Sequence, residues 1–218
     1  MVSLRSFLVA SMSVAAAIAT PYELATRDTI VTTSTTGTAG GYYYSCYIES
    51  GSGVSMDIGT GTYKLTWTTA AEDVVAGIGW STGAVRTISY TGSLSASGDS
   101  LLALYGWTTS PLVEYYVIET YGTYNPGSAG TLKGTVTSDG SVYDIYEVVR
   151  TDAPSIQGTA TFNQYLSIRQ TERTSGTITL ATHFNAWAAL GMDLGTFNYQ
   201  IMATEGYESA GSSSITIT

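Results

Sequence analysis

Two segments of the chain each set a glutamate among tyrosines and aliphatic residues, and two carboxyls so placed can divide nucleophilic and acid/base work between them. The first is Leu112-Val113-Glu114-Tyr115-Tyr116-Val117-Ile118-Glu119. Side chains alternate along a strand, so Leu112, Glu114, Tyr116 and Ile118 share one face, and Val113, Tyr115, Val117 and Glu119 the other. Both faces are largely apolar or aromatic, which makes the strand internal to a layered sheet, where an uncompensated carboxylate is costly. The second segment runs from Tyr199 to Tyr207 and puts Tyr199, Ile201, Ala203, Glu205 and Tyr207 on one face. A glutamate on a strand is also the mark of an exposed rim. Two such strands together invite carboxylates facing each other across a tyrosine-lined cleft.

The elements that must hold this pair read as strands. Tyr63–Trp67, Thr87–Tyr90, Leu101–Trp107, Leu112–Ile118, Thr131–Val136, Ser141–Val149, Thr159–Arg169, Gly176–Leu180, Tyr199–Glu205 and Ser213–Thr218 are rich in β-branched and aromatic residues. Gly51-Ser52-Gly53, Gly59-Thr60-Gly61, Ser97-Gly98-Asp99, Asn125-Pro126-Gly127 and Ser138-Asp139-Gly140-Ser141 supply turn chemistry between them. Many short strands at this spacing predict a sandwich or jelly roll. One interruption, Thr182 to Leu190, puts Phe184, Trp187 and Leu190 at helical spacing, with Thr182 as N-cap and Gly191 as stop. A single helix packed outside a sheet is expected.

The 218 residues suit one well-cored domain, and a charged fraction of 11% argues against disorder and coiled coils. With 8 Lys and Arg against 17 Asp and Glu, the chain repels phosphate backbones, so nucleic acid is not expected as a partner. A hydroxyl-rich surface with 17 Tyr suits an uncharged, polyhydroxylated ligand. At the N-terminus, Arg5 precedes an apolar run from Phe7 to Ala19 with a small-residue cleavage site at Ala17-Ile18-Ala19. Residues 1–19 are therefore expected to be a secretory signal peptide, too short to span a membrane, and the protein to be extracellular. Residues 20–39, rich in Thr, Ser and Gly, read as a pro-segment or linker outside the fold, leaving 40–218 as the folded domain. Cys46 is the lone cysteine, so no internal disulfide can form; a small buried filler is the preferred reading over a reactive thiol.

An ordered set of motifs carries a resemblance. Gly41-Tyr42-Tyr43-Tyr44-Ser45, the run Tyr105 to Tyr116 with its Ser110-Pro111-Leu112-Val113-Glu114-Tyr115-Tyr116, Tyr121 to Pro126, Thr137 to Tyr146, Ala153 to Phe162, His183-Phe184-Asn185-Ala186-Trp187 and Ala203-Thr204-Glu205-Gly206-Tyr207 together resemble the family 11 glycoside hydrolases, the small endo-β-1,4-xylanases. The likeness runs in order from about Gly40 to Thr218. It implies an all-β fold, a β-jelly roll sandwich of two twisted antiparallel sheets with one α-helix, holding xylan in its cleft.

By the same resemblance Glu114 is the nucleophile and Glu205 the acid/base of a retaining hydrolase, whose carboxyls stand about 5–5.5 Å apart. Tyr105 and Tyr116 match cleft tyrosines that hydrogen-bond nucleophile and sugar; the alternative is a core tyrosine in each case. Pro154-Ser155-Ile156 matches the tip of a thumb hairpin over the substrate. Arg150 and Gln164 match positions that hold sugar hydroxyls, although an arginine flanking a hairpin is equally a surface ion-pair partner. Tyr199 and Tyr207 flank the acid/base strand. Counting back from Gly77-Ile78-Gly79-Trp80, Asp73 falls where the family has Asn or Asp beside the acid/base, and an Asp there goes with an acidic optimum. The spacing from Trp67 to Trp80 is one residue longer than in a common pattern of that family, which keeps Glu72 as a rival for that position.

Departures from the family pattern fall in the cleft. Cys46-Tyr47 stands where a tryptophan platform is common, leaving Tyr47 to stack on sugar, and Leu101 and Leu166 replace frequent Tyr and Trp positions. His183 is the only histidine; it is expected to anchor the helix start, and no His-based triad, metal or other cofactor is expected. A secreted, monomeric xylanase is the leading reading. A non-catalytic, lectin-like protein on the same fold is the alternative, and a structural or signalling surface protein the third.

Overall fold

A computed structural model describes residues 29–218, so the expected signal peptide at 1–19 lies outside the described residues. In chain order the strands are β1 (Thr29–Val31), β2 (Thr35–Ala39), β3 (Tyr42–Ile48), β4 (Ser55–Gly59), β5 (Thr62–Trp67), β6 (Asp73–Trp80), β7 (Thr87–Thr109), β8 (Val113–Tyr121), β9 (Thr131–Ser138), β10 (Ser141–Ser155), β11 (Gly158–Arg169), β12 (Gly176–Thr179) and β13 (Thr196–Ile217). Helix α1 (Leu180–Ala189) lies between β12 and β13.

Two long strands, β7 and β13, pair along nearly their whole length and belong to both layers of a jelly roll. Residues Gln200–Tyr207 of β13 pair with β6, which leads on to β3 and β2. Residues Gly211–Thr216 pair instead with β5, which leads on to β4 and β1. On the far side of β7 the sheet continues through β8, β11, β10 and β9. Pairing is antiparallel except between β8 and β11, which run parallel.

The sequence splits β7 and β13 into two strands each, and the structure corrects this. Ser97-Gly98-Asp99 is a bend inside β7, where Gly98 has φ +113, and the β7–β13 register slips between Tyr207 and Ala210. An extra residue kinks a ladder without ending it, so each strand crosses from one layer to the other. Thr29–Val31 and Thr35–Ala39, expected to lie in a linker, are also strands. They are held by backbone pairing with β4 and β3, which needs little side-chain burial.

Alternation sorts side chains into two apolar clusters. Val113, Tyr115 and Val117 of β8 join Tyr63, Leu65, Ile78, Leu104 and Met202 between the layers. Tyr116 and Ile118 of the same strand join Leu101, Ala103, Tyr105, Ile201 and Ala203 on the opposite, concave face. The concave face is the one that carries Glu114.

Helix α1 docks with Trp187 wholly buried and its Nε1 donating to Ser167 Oγ at 3.0 Å. Burial of such a ring contributes on the order of 5 kcal/mol at most. The helix starts earlier than expected: the N-cap is Thr179, not Thr182, and its hydroxyl donates to Asp139 Oδ1 at 2.8 Å instead of serving the helix. Gly191, at φ +74, does end it. His183 is no hydrogen-bonded anchor. It is fully buried with both ring nitrogens unpartnered, packs edge-on to Tyr143, and burial pushes its pKa down to about 4, so it is neutral packing.

Candidate active site

Glu114 projects from β8 between β7 and β11, with Trp107 and Gln164 as its cross-strand neighbours. It is only 7% exposed. Both carboxyl oxygens are engaged: Tyr105 Oη and Tyr116 Oη donate to Oε1 at 2.7 and 3.0 Å, and Gln164 Nε2 donates to Oε2 at 2.6 Å. Trp107 Nε1 donates to Tyr105 Oη at 2.6 Å, which commits the Tyr105 hydroxyl to donating onward to the carboxylate. Burial pushes the Glu114 pKa above the ordinary range, while Gln164, Tyr105 and Tyr116 act against that rise by stabilising the anion.

Glu205 projects from β13, paired with Val75 of β6 and Leu101 of β7. Its Oε2 is buried without a partner. Burial, then the negative charges of Asp73, Glu114 and Asp99, raise its pKa well above the usual carboxylate range. Asp73, on β6, likewise has a buried, unpartnered Oδ1, and burial together with Glu49 and Glu114 raises its pKa to about 7. Asp73 lines the cleft with Glu205, whereas Glu72 is exposed and accepts from Ser50 Oγ at 2.6 Å. Of the two neighbours, Asp73 rather than Glu72 is on the cleft face. The environments therefore divide the two glutamates. One is surrounded by donors to its anion, the other by negative charge that favours its proton.

These shifts carry a stability prediction. Asp73 binds a proton more tightly folded, at about 7, than at its ordinary value of 3.8, so its stabilising contribution is complete below the ordinary value and is lost as pH rises through 7. The melting temperature should fall between about pH 4 and pH 7, and Asp73→Asn should flatten part of that fall. Thermal melts across the range check this; parallel curves for the two proteins would refute it.

The carboxyls open onto a cleft of about 570 Å³ lined by Asp73, Tyr47, Tyr105, Tyr116, Arg150, Pro154, Gln164 and Tyr199, which brings these sequence candidates to one place. Tyr47 is 38% exposed at the edge, where a flat sugar ring can reach it. Tyr199 packs against Tyr105 and Tyr43, with ring centres 5.9 and 5.6 Å apart. Pro154 lies near the tip of the β10–β11 hairpin, where Ser155 Oγ donates to the Gly158 carbonyl at 2.6 Å and accepts from Gln157 N at 3.0 Å. Arg150 forms no ion pair among the described residues; its charge acts on Asp73 and Glu114 instead. Gln164 is committed to Glu114, a contact the sequence does not specify.

Beyond Glu205 the cleft continues over an aliphatic floor that includes Leu101, Ile118 and Leu166, with Tyr124 and Tyr207 at its edge. Trp107, Phe162, Glu49 and Asp99 also line the cleft and are not identified as site residues by the sequence. Trp107 shares the face of Tyr105 by simple alternation, which is signal enough to find it. Glu49 and Asp99 become neighbours only through strand register. Cys46 is buried, and burial pushes its thiol up to about 11, which keeps it protonated and unreactive.

Comparison with known proteins converges on one group. Residues 39–216 match the family model described as glycosyl hydrolases family 11. The chain is 54% identical to an ethylene-inducing xylanase of Penicillium digitatum, over the full length of both chains. It is 50% identical to endo-1,4-β-xylanase 11A of Botryotinia fuckeliana, again over the whole of both. Among solved structures, one from a comparison of the two major endo-1,4-β-xylanases of Trichoderma reesei superposes with a TM-score of 0.76 at 49% identity, covering 81% of this chain and 97% of that one.

Proposed function

The chain belongs to family 11 of the glycosyl hydrolases, and from that premise we propose that it is a secreted endo-1,4-β-xylanase cleaving internal xylosidic bonds with retention of configuration. The observation that carries the division of labour is the unequal setting of the two glutamates. Glu114 has three donors on its oxygens, while Glu205 has an unpartnered Oε2 amid negative charge.

In the first step a Glu114 oxygen attacks the anomeric carbon, the C1–O bond to the leaving sugar breaks, and Glu205 gives its proton to the departing oxygen. Tyr105, Tyr116 and Gln164 hold the attacking carboxylate in one orientation, which lowers the cost of reaching the reactive geometry. In the second step Glu205, now ionised, takes a proton from water as the water oxygen bonds to C1 and the bond to Glu114 breaks. Two inversions leave the configuration unchanged. Tyr47, Tyr199, Arg150 and Pro154 would bind the neighbouring sugars, Tyr47 by stacking and Arg150 by donating to hydroxyls.

The substrate is neutral xylan, and every group named comes from one chain, so a monomer suffices. Neither nucleic acid nor membrane has a part in this reading, and among the described residues no helix is long and apolar enough to cross a membrane. Export rests on Arg5 and the apolar run to Ala19.

Release of reducing sugar from xylan, with the anomeric configuration of the first product followed by NMR, tests the activity and its stereochemistry together. Xylan binding without turnover would favour the lectin-like alternative. The rate should peak on the acid side of neutrality, because Asp73 and Glu205 must both keep protons and Asp73 loses its own near 7. A pH–rate profile with its maximum above neutrality would contradict the roles of both.

A further inference from the structure

Strand register lines up two carboxylates that none of these steps uses. Glu49 directly follows β3, and its N–H donates to the Asp73 carbonyl at 3.0 Å, so it extends the β3–β6 ladder by one rung. Asp73 pairs with Tyr207 of β13, and Tyr207 pairs with Asp99 of β7. Glu49, Asp73, Tyr207 and Asp99 thus occupy a single rung across four neighbouring strands. Two residues further along each of those strands lies the rung of Tyr47, Val75, Glu205 and Leu101. Positions two apart share a face, so Glu49, Asp73 and Asp99 stand on the same concave face as Glu205, and all four line the cleft. Asp73 and Asp99 are the diagonal neighbours of Glu205, one on each side, a relation that spans about 7–8 Å.

The charged and titratable groups facing Glu205 come from every strand around it: Asp73 from β6, Asp99 from β7, Glu114 and Tyr116 from β8, Glu49 beyond β3, and Arg150 from β10. Arg150 is the one cation lining this part of the cleft among the described residues, and it pairs with none of them.

We propose that Glu49 and Asp99 are positioning residues for the acid/base, holding the proton on the Asp73–Glu205 pair into less acid solution than the pair would keep it alone. The proposal rests on the reading of Glu205 as acid/base. A negative charge beside a carboxyl disfavours its ionisation, Glu49 acting on Asp73 and Asp99 acting on both members of the pair. Glu49 is exposed and Asp99 half-buried, so both charges are open to screening by salt.

The test is the alkaline limb of the kcat/KM profile. Glu49→Gln and Asp99→Asn should each move that limb to lower pH by about half a pH unit, and the double substitution further. Added salt should move the wild-type limb the same way and the double variant less. Asp193→Asn removes an equal charge from an exposed loop after the helix and should leave the limb in place. Carbon-13 NMR titration of the Asp73 and Glu205 carboxyls in the resting protein reads the same shift without turnover. Titrations that move in a protein that does not hydrolyse xylan would establish the charge coupling but overturn the enzymatic reading, and with it the role proposed for Glu49 and Asp99 in acid/base catalysis. Limbs and titrations that coincide with wild type in both single variants and in the double variant would overturn the inference.

Discussion

Glu114→Gln should abolish hydrolysis of xylan and of aryl xylosides with good leaving groups alike, because an amide cannot supply the attacking oxygen. The loss should exceed the roughly 10²–10⁴-fold that removing a general acid costs. Glu205→Gln should show the contrasting pattern. It should lose about 10²–10⁴-fold on xylan, whose leaving hydroxyl needs a proton, but much less in the first step with an aryl leaving group that departs unaided. In that variant the glycosyl-enzyme should accumulate, since water then lacks a base. Steady-state and burst kinetics on the two substrate types separate these outcomes. Equal losses on both substrates for Glu205→Gln would sink its assignment as acid/base. Neither substitution should weaken the fold, because each removes a carboxyl whose proton affinity burial has already raised.

The second large effect falls on the other glutamate of β8. Glu119 is wholly buried and points away from the cleft; Tyr90 Oη and Tyr143 Oη donate to it at 2.7 and 2.6 Å, and Arg173 Nε pairs with it. Arg169 donates to Tyr143 Oη at 2.7 Å and to the Asp139 carbonyl, so the network ties β7, β8, β10 and the segment between β11 and β12 together. Breaking a buried pair by removing one partner costs about 3–5 kcal/mol, and the lower end applies because Arg173 keeps partial contact with water. Glu119→Gln should therefore lower the melting temperature by roughly 6–12 °C for a domain of this size. Specific activity well below the melt should be retained. A change of only a degree or two, or loss of activity in a protein that remains folded, would contradict a purely structural role.

These two glutamates, five positions apart on one strand, show how far the sequence could be read. Alternation assigned them to opposite faces, and the structure keeps that assignment; period-2 patterning is local and survives any tertiary arrangement. The cleft face of β13 was legible for the same reason. What alternation could not show is which strands continue through a bend. Gly98 has the composition of a turn, yet it kinks a strand that goes on to pair for several more residues. Thr35–Ala39 looked too polar to fold because its place in the sheet depends on backbone hydrogen bonds rather than on apolar burial. The helix starts three residues early, after Thr179, whose N–H and hydroxyl both donate to Asp139, a partner 40 residues away that local capping patterns do not show. Glu49 and Asp99 are not legible as site residues in the sequence because their closeness to Glu205 exists only once β3, β6, β13 and β7 lie in register.

The division of roles between Glu114 and Glu205 is tested most directly by trapping the covalent intermediate. Incubation with a 2-deoxy-2-fluoro xylobioside carrying a dinitrophenyl leaving group, followed by peptide mapping, reports which side chain bonds to C1. The expected result is a single label on Glu114. A label on Glu205 or Asp73, or an unlabelled enzyme that releases product of inverted configuration, would contradict the assignment.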